Sequence, residues 1–227
     1  MFMTDTMFKY ELEDSNKTAT LMHPIHKPFT KKHVKIPKMI GEYTITAIAP
    51  CAFESNANII TIEIPDSVVL VDDSAFSKCG KLEKVYFYGT RHNHKVIDIN
   101  KFAFADCVNL KIVEFATMSK KVCVGSNAFT GCSLLYTFNP LFLKLGANAF
   151  FRCVNLDNIV FAPSAKWTPS TFAGCIKLQT VTFFGEVDDS VSETCIEWLK
   201  DKNVECADNS KLANLAYEGV NVKILPF

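Results

Sequence analysis

The sequence predicts an α/β solenoid, a right-handed superhelix of short parallel strands joined by helical or 3-10 turns, rich in β structure and capped at both ends. Three observations predict it. A phenylalanine returns at Phe53, Phe76, Phe104, Phe129, Phe150 and Phe172, at intervals of 23, 28, 25, 21 and 22 residues. Three residues after five of them stand Cys79, Cys107, Cys132, Cys153 and Cys175, with Asn56 in the first copy, and six residues after all of them stand Ile59, Leu82, Leu110, Leu135, Leu156 and Leu178. The stretches that follow, such as "LEKVYF" and "LKIVEF", alternate apolar and polar residues, the pattern of a strand with one buried face. Self-similarity at a period of this size is the signature of a stacked array, because one unit of about 23 residues cannot close a core alone.

Each unit turns inward several times. Leu82, Val85 and Phe87, and their equivalents Leu110, Val113, Phe115 and Leu178, Val181, Phe183, line one wall. Five residues before each anchor lies a second apolar position: Ile48, Val71, Ile99, Val124, Leu145 and Trp167. The segment from the anchor to the cysteine is short, which suits a helical or 3-10 turn of one or two windings. Stacked units should stand about 5 Å apart, the spacing of paired strands.

A stack needs ends that cover its apolar cross-section. At the front, residues 1–35, Phe8, Tyr10 and Leu12 alternate, "EDSNK" supplies turn residues, and Thr18, Thr20 and Met22 alternate again, predicting a hairpin laid over the first coil. Residues 36–185 hold about six repeats. Residues 186–227 form the rear cap, where "DDSVSETCIEWLKDKN" has Asp and Ser ahead of Cys195, Ile196, Trp198 and Leu199, a capped helix. The run "VNVKILPF" adds one closing strand.

The pattern resembles the BspA-like leucine-rich repeats, whose units read roughly "IP-xx-V-xx-I-xxx-AF-xx-C-xx-L-xx-I-x-I". The stretch "IEIPDSVVLVDDSAFSKCGKLEKVYF" follows it almost letter for letter, and the resemblance covers about Ile36 to Phe184. Departures are Asn56 in the first copy, Thr171 for Ala in the last, Trp167 at an aliphatic position, and the insertion "YGTRHNHKVIDINK". The resemblance implies a leucine-rich-repeat solenoid. It also implies adhesion to host cells or matrix at a cell surface, which the family is associated with in anaerobic bacteria and parasitic protists.

Composition narrows the function. Twenty-four basic and 24 acidic residues cancel, so no global field recruits nucleic acid. No run reaches the roughly 18 uncharged apolar residues of a membrane span, and the opening "MFMTDTMFKYELEDSNKTAT" has acids where a signal peptide needs a basic flank. From the sequence alone the expected location is therefore the cytoplasm, with the cell surface as the alternative the resemblance implies. Asn16 in "NKT" is the one glycosylation sequon.

Nine cysteines raise the questions of disulfides, metal and nucleophile. The repeat cysteines lie 21 to 28 residues apart and form a column along the solenoid, which cannot supply the tetrahedron of a zinc site. A disulfide between neighbouring coils is geometrically conceivable at about 5 Å. Without a secretion signal, reduced packing thiols are the favoured reading, since free Cys behaves as a small buried hydrophobe. Cys51, Cys123, Cys195 and Cys206 are less constrained. No signature joins His23, His26, His33, His92 or His94 to a cysteine or completes a metal set. The pairs Asp72 with Asp73 and Asp188 with Asp189 read as turn and N-cap residues. No catalytic constellation, cofactor or metal site is expected.

Two surfaces remain as candidates. "HKPFTKKHVKIPK" concentrates Lys27, Lys31, Lys32, Lys35 and Lys38, either a solvated face or a patch for an anionic ligand. On the strand face, outward residues should form columns: Thr61, Lys84, Ile112, Thr137, Asn158, Thr180; then Glu63, Tyr86, Glu114, Asn139, Val160, Thr182; then Tyr88, Ala116, Ala162, Phe184. Tyr86, Tyr88 and Phe184 are the expected interface anchors. The expectation is a non-catalytic protein that binds another protein, or a glycan, through this face. The alternative is an intracellular scaffold or regulatory subunit. Oligomeric state is not legible.

Overall fold

The computed structural model describes residues 1–26, 28–89, 96–116, 121–138, 140–183, 192–206 and 220–224. The chain opens with β1 (Phe2–Thr4), β2 (Phe8–Glu13) and β3 (Thr18–Pro24), antiparallel in sequence, and continues through β4 (His33–Lys35), β5 (Met39–Ile40) and β6 (Tyr43–Ile48). From there strands fall alternately on two walls. One wall takes β7 (Thr61–Pro65), β9 (Lys84–Tyr88), β11 (Ile112–Phe115) and β13 (Thr137–Phe138). The other takes β8 (Leu70–Val71), β10 (Ile97–Ile99), β12 (Lys121–Val124) and β14 (Leu141–Leu145). Then come β15 (Asn158–Lys166), a 3-10 helix η1 (Pro169–Phe172), β16 (Thr180–Phe183), α1 (Glu193–Leu199), β17 (Asn203–Cys206) and β18 (Val222–Ile224). The result is a β-solenoid with parallel ladders along its length.

The anchor phenylalanines build the core. Neighbouring rings from Phe53 through Phe76, Phe104, Phe129 and Phe150 to Phe172 lie 5.0, 5.0, 5.1, 5.3 and 5.8 Å apart and within 10° of parallel. This is the offset stacking that aromatic quadrupoles favour, imposed here by the rise of one coil on the next. Cys79, Cys107, Cys132 and Cys153 and the leucines Leu82, Leu110, Leu135 and Leu156 are fully buried beside them.

The turns differ from the expected helical ones. In the first five copies the residues two before and two after the anchor adopt left-handed backbone: Cys51 and Ser55, Ser74 and Lys78, Phe102 and Asp106, Asn127 and Gly131, Asn148 and Arg152. The alternation sends every second N–H to the next coil: Phe53 N donates to Ala75 O at 2.7 Å and Ser55 N to Ser77 O at 2.7 Å. The N–H groups between them close local turns, as Glu54 N does to Cys51 O. A helix would turn all of these donors back on itself and leave the coils unlinked. Only in the sixth copy does Pro169 start a 3-10 turn, at η1. Among the described residues α1 is the only α-helix, so the solenoid is β-rich as expected but has little of the helix that an α/β fold would carry.

The front also differs in detail. Phe8, Tyr10 and Leu12 are buried as expected, but on β3 the inward residues are Ala19 and Leu21, not the alternating Thr18, Thr20 and Met22. β3 runs parallel to β6 and β4 parallel to β7, so the chain completes one coil before the first recognisable repeat. Phe29 is the ring of that coil, 6.3 Å from Phe53 and 5.7 Å from Phe8. At the rear, Ser192 N-caps α1 by accepting from Cys195 N, and Trp198 stacks 5.4 Å from Phe172. β17 and β18 then extend the ladder from β16. Asp188 and Asp189 lie outside the described residues.

Candidate functional site

The strand face is the five-stranded sheet ordered β13, β11, β9, β7, β4. Because its strands are parallel and in register, equivalent residues stand one above another. His33, Thr61, Lys84, Ile112 and Thr137 form one column, and Lys35, Glu63, Tyr86 and Glu114 the next. The alternating Val34, Ile62, Val85 and Val113 are buried, which turns these columns outward.

The columns knit themselves together. Lys35 reaches Glu63 at 3.2 Å, Lys84 reaches Glu114 at 2.8 Å, and at the corner Lys111 reaches Glu83 at 2.9 Å. Lys84 Nζ also lies 5.6 Å from the Tyr86 ring centre, and Lys35 Nζ 4.5 Å from that of Tyr88. These exposed pairs contribute at most about 1 kcal/mol each, and mainly align neighbouring coils. The Tyr88 hydroxyl donates to Ile36 O at 2.7 Å, tying this ring to the preceding coils, whereas Tyr86 stands half-exposed at the centre of the sheet.

The expected columns do not run the full length. Asn158, Val160, Thr180 and Thr182 lie on β15 and β16, which join the other sheet through the pairing of Phe142 with Phe161. The cause is the 21-residue repeat between Phe129 and Phe150: only two residues separate β13 from β14, so the two walls run together there. Ala162, expected outside, is buried. Asn139 and Phe184 lie outside the described residues. Tyr136 and Leu134, which the repeat pattern gave no reason to single out, are exposed beside this junction.

Of the lysine patch, Lys35 is paired with Glu63 and Lys38 with Asp66 at 3.2 Å, while Lys31 and Lys32 are exposed. Lys27 lies outside the described residues. The cluster is therefore partly neutralised by the next coil, which sequence distance concealed.

The cysteine column has a specific task. Cys79, Cys107, Cys132, Cys153 and Cys175 donate their thiol hydrogens to Phe53 O, Phe76 O, Phe104 O, Phe129 O and Phe150 O, at 3.0 to 3.1 Å. Each such carbonyl lies one coil back and also accepts the N–H of its own coil's cysteine or Asn56, so both of its lone pairs are used. In the first copy Asn56 and Asn58 turn their amides toward Phe29 O, the same role in another chemistry. Burial pushes the thiols of Cys132 and Cys153 well above their usual range and that of Cys175 up to about 12. The adjacent Cys79 and burial do the same to Cys107. Cys51 is raised by the Glu54 carboxylate and Cys123 by burial. A nucleophilic cysteine needs the opposite shift. His23 Nδ1 sits 3.0 Å from Pro24 O and His33 Nδ1 2.8 Å from Thr61 Oγ1; His92 and His94 lie outside the described residues. Asp72 and Asp73 bind across coils, to Asn100 Nδ2 and Lys101 N.

Residues 31–136 and 90–201 match the BspA type leucine rich repeat region, in six copies. No curated protein sequence matches the chain. Among solved structures it is similar to a leucine rich repeat protein of T. pallidum, at 15% identity and a TM-score of 0.54, over 98% of each chain. It is also similar to one from Bacteroides capillosus, at 22% identity and a TM-score of 0.45, over 81% of this chain and 99% of that one. A leucine rich cell surface protein of Faecalibacterium prausnitzii aligns at 13% identity and a TM-score of 0.35, over 97% and 98%. The first supports the solenoid fold. With six copies in register over most of its length, the chain belongs to the BspA-type leucine-rich repeat family.

Proposed function

We propose that the protein binds another protein through the sheet formed by β4, β7, β9, β11 and β13, at a cell surface, and that it has no catalytic role. The observation that carries this is Tyr86, half-exposed between Lys84, Ile112 and Glu114 on a lattice of parallel strands in register. A tyrosine offers large contact area at low entropic cost, and the surrounding lattice is already ordered by its own ion pairs. Adhesion to a host or matrix protein is the specific form of this reading. The first 35 residues and those after 185 serve as end pieces that keep the core from solvent.

The test is capture by the immobilised chain, with Tyr86→Ala against Lys9→Ala on the opposite wall. Loss of a central aromatic anchor should weaken capture about tenfold or more, while the Lys9 variant behaves as wild type. Equal capture by both would reject the strand face. Labelling of intact cells with an impermeant reagent should mark the protein, and a protein labelled only after lysis would reject the surface location.

A further inference from the structure

The ladder that links the turns has an open end. In successive coils, N–H groups of one turn donate to carbonyls of the next: Cys51, Phe53 and Ser55 to Asp73, Ala75 and Ser77, then Ser74, Phe76 and Lys78 to Lys101, Ala103 and Ala105. The equivalent acceptors of the first turn are the carbonyls of Pro50, Ala52 and Glu54. Among the described residues nothing donates to them, and Pro24 and Pro28 in the preceding stretch have no N–H to give. The three residues line a cleft of about 500 Å³, walled also by Met22, His26 and Phe29. That volume is in the range of ligand sites.

Among the described residues the cleft offers this row of acceptors, and several of its donors are engaged within the fold. Asn56 and Asn58 give their amides to Phe29 O, and the His23 ring is engaged by Pro24 O. The Cys51 thiol is drawn to Glu54, whose carboxylate adds a negative charge to the three carbonyls. A row of acceptors beside a carboxylate, with Phe29, Met22 and prolines for an aliphatic stem, suits a planar, multiply donating cation.

We propose that this cleft receives an arginine side chain from a segment of a partner protein, its guanidinium bound by the Pro50, Ala52 and Glu54 carbonyls and the Glu54 carboxylate. A second copy of the chain is a poor source. It has two arginines, Arg91, outside the described residues, and Arg152, which lies 5.1 Å over the Phe151 ring. The far end of the turn ladder is also covered by Trp198 of α1.

The experiment is a titration of the ¹⁵N-labelled chain with acetyl-Gly-Arg-Gly-Arg-Gly-amide, and with the citrulline peptide that keeps N–H donors without charge. Amide shifts confined to residues 51–58 and saturating below about 1 mM are expected. Glu54→Gln and the citrulline peptide should each weaken binding about tenfold, the effect of losing one charge-assisted interaction. Tyr86→Ala should leave the titration unchanged, which separates this site from the strand face. No shifts at several millimolar, equal affinity in Glu54→Gln, or shifts centred on the strand face would each overturn the proposal.

Discussion

Replacing Cys107 by alanine isolates what the cysteine column does. The residue is fully buried, and its thiol donates to Phe76 O at 3.1 Å, a carbonyl that keeps a second bond from Cys79 N when the thiol is gone. Removing one buried heavy atom from a closed core costs about 1 kcal/mol, and losing a neutral hydrogen bond to a part-satisfied acceptor about 0.5 to 1 kcal/mol. The sum is about 2 kcal/mol, measured as a lowered midpoint in urea at unchanged slope. Cys107→Ser refines the measurement. Its hydroxyl still reaches Phe76 O, so it should cost less than alanine, whereas a site that wants only apolar volume would tolerate serine worse. Serine proving more damaging than alanine would refute the donor role, and a folded Cys107→Ala chain that lost partner capture would refute the assignment of this residue to the core.

Three further outcomes follow from the same geometry. Phe102 holds φ 58° and is 37% exposed as a residue, while Asn occupies the equivalent left-handed position at Asn127 and Asn148; Phe102→Asn should therefore stabilise by about 1 kcal/mol and raise Tm by a few degrees. Gly146 approaches the previous coil so closely that a Cβ would stand 2.4 Å from Ser126 N, so Gly146→Ala should cost more than about 2 kcal/mol in urea denaturation. The thiols of Cys107, Cys132, Cys153 and Cys175 have folded-state pKa values raised above the unfolded one. Their contribution is complete below about pH 8.5 and is lost as pH rises toward 12, because the unfolded chain gives up its protons first. Stability should fall by about 1.4 kcal/mol per pH unit for each thiol in that window, and Cys153→Ala should remove one such increment from the slope.

How much was legible depended on whether a residue's role repeats. Phe104, Cys107 and Leu110 could be placed inside the core because all five other copies carry the Phe, and four of them the Cys and the Leu, at the same offsets. Phe29 could not, since its coil has neither the Cys nor the Leu, and only its 6.3 Å approach to Phe53 shows that it continues the ring ladder. The left-handed positions were equally hidden: Cys51, Ser74, Phe102, Asn127 and Asn148 share a backbone conformation, but only the two asparagines share a side chain. The backbone there is dictated by the hydrogen bonds between coils, strongly enough to place a phenylalanine at positive φ.

Periodicity by itself determined that this chain stacks into a solenoid, that the Phe and Leu of each repeat face inward, and that its cysteines form a column, because burial repeats with the coil and leaves its mark on every copy. The tertiary structure alone decided that the turns are extended ladders and not helices, that the thiols serve as donors to the preceding coil, and that the strand face ends at β13. It also decided that Lys35 and Lys38 are already paired. Each of these depends on the distance between two coils, and residues more than 20 positions apart in sequence meet only when one coil is laid on the next.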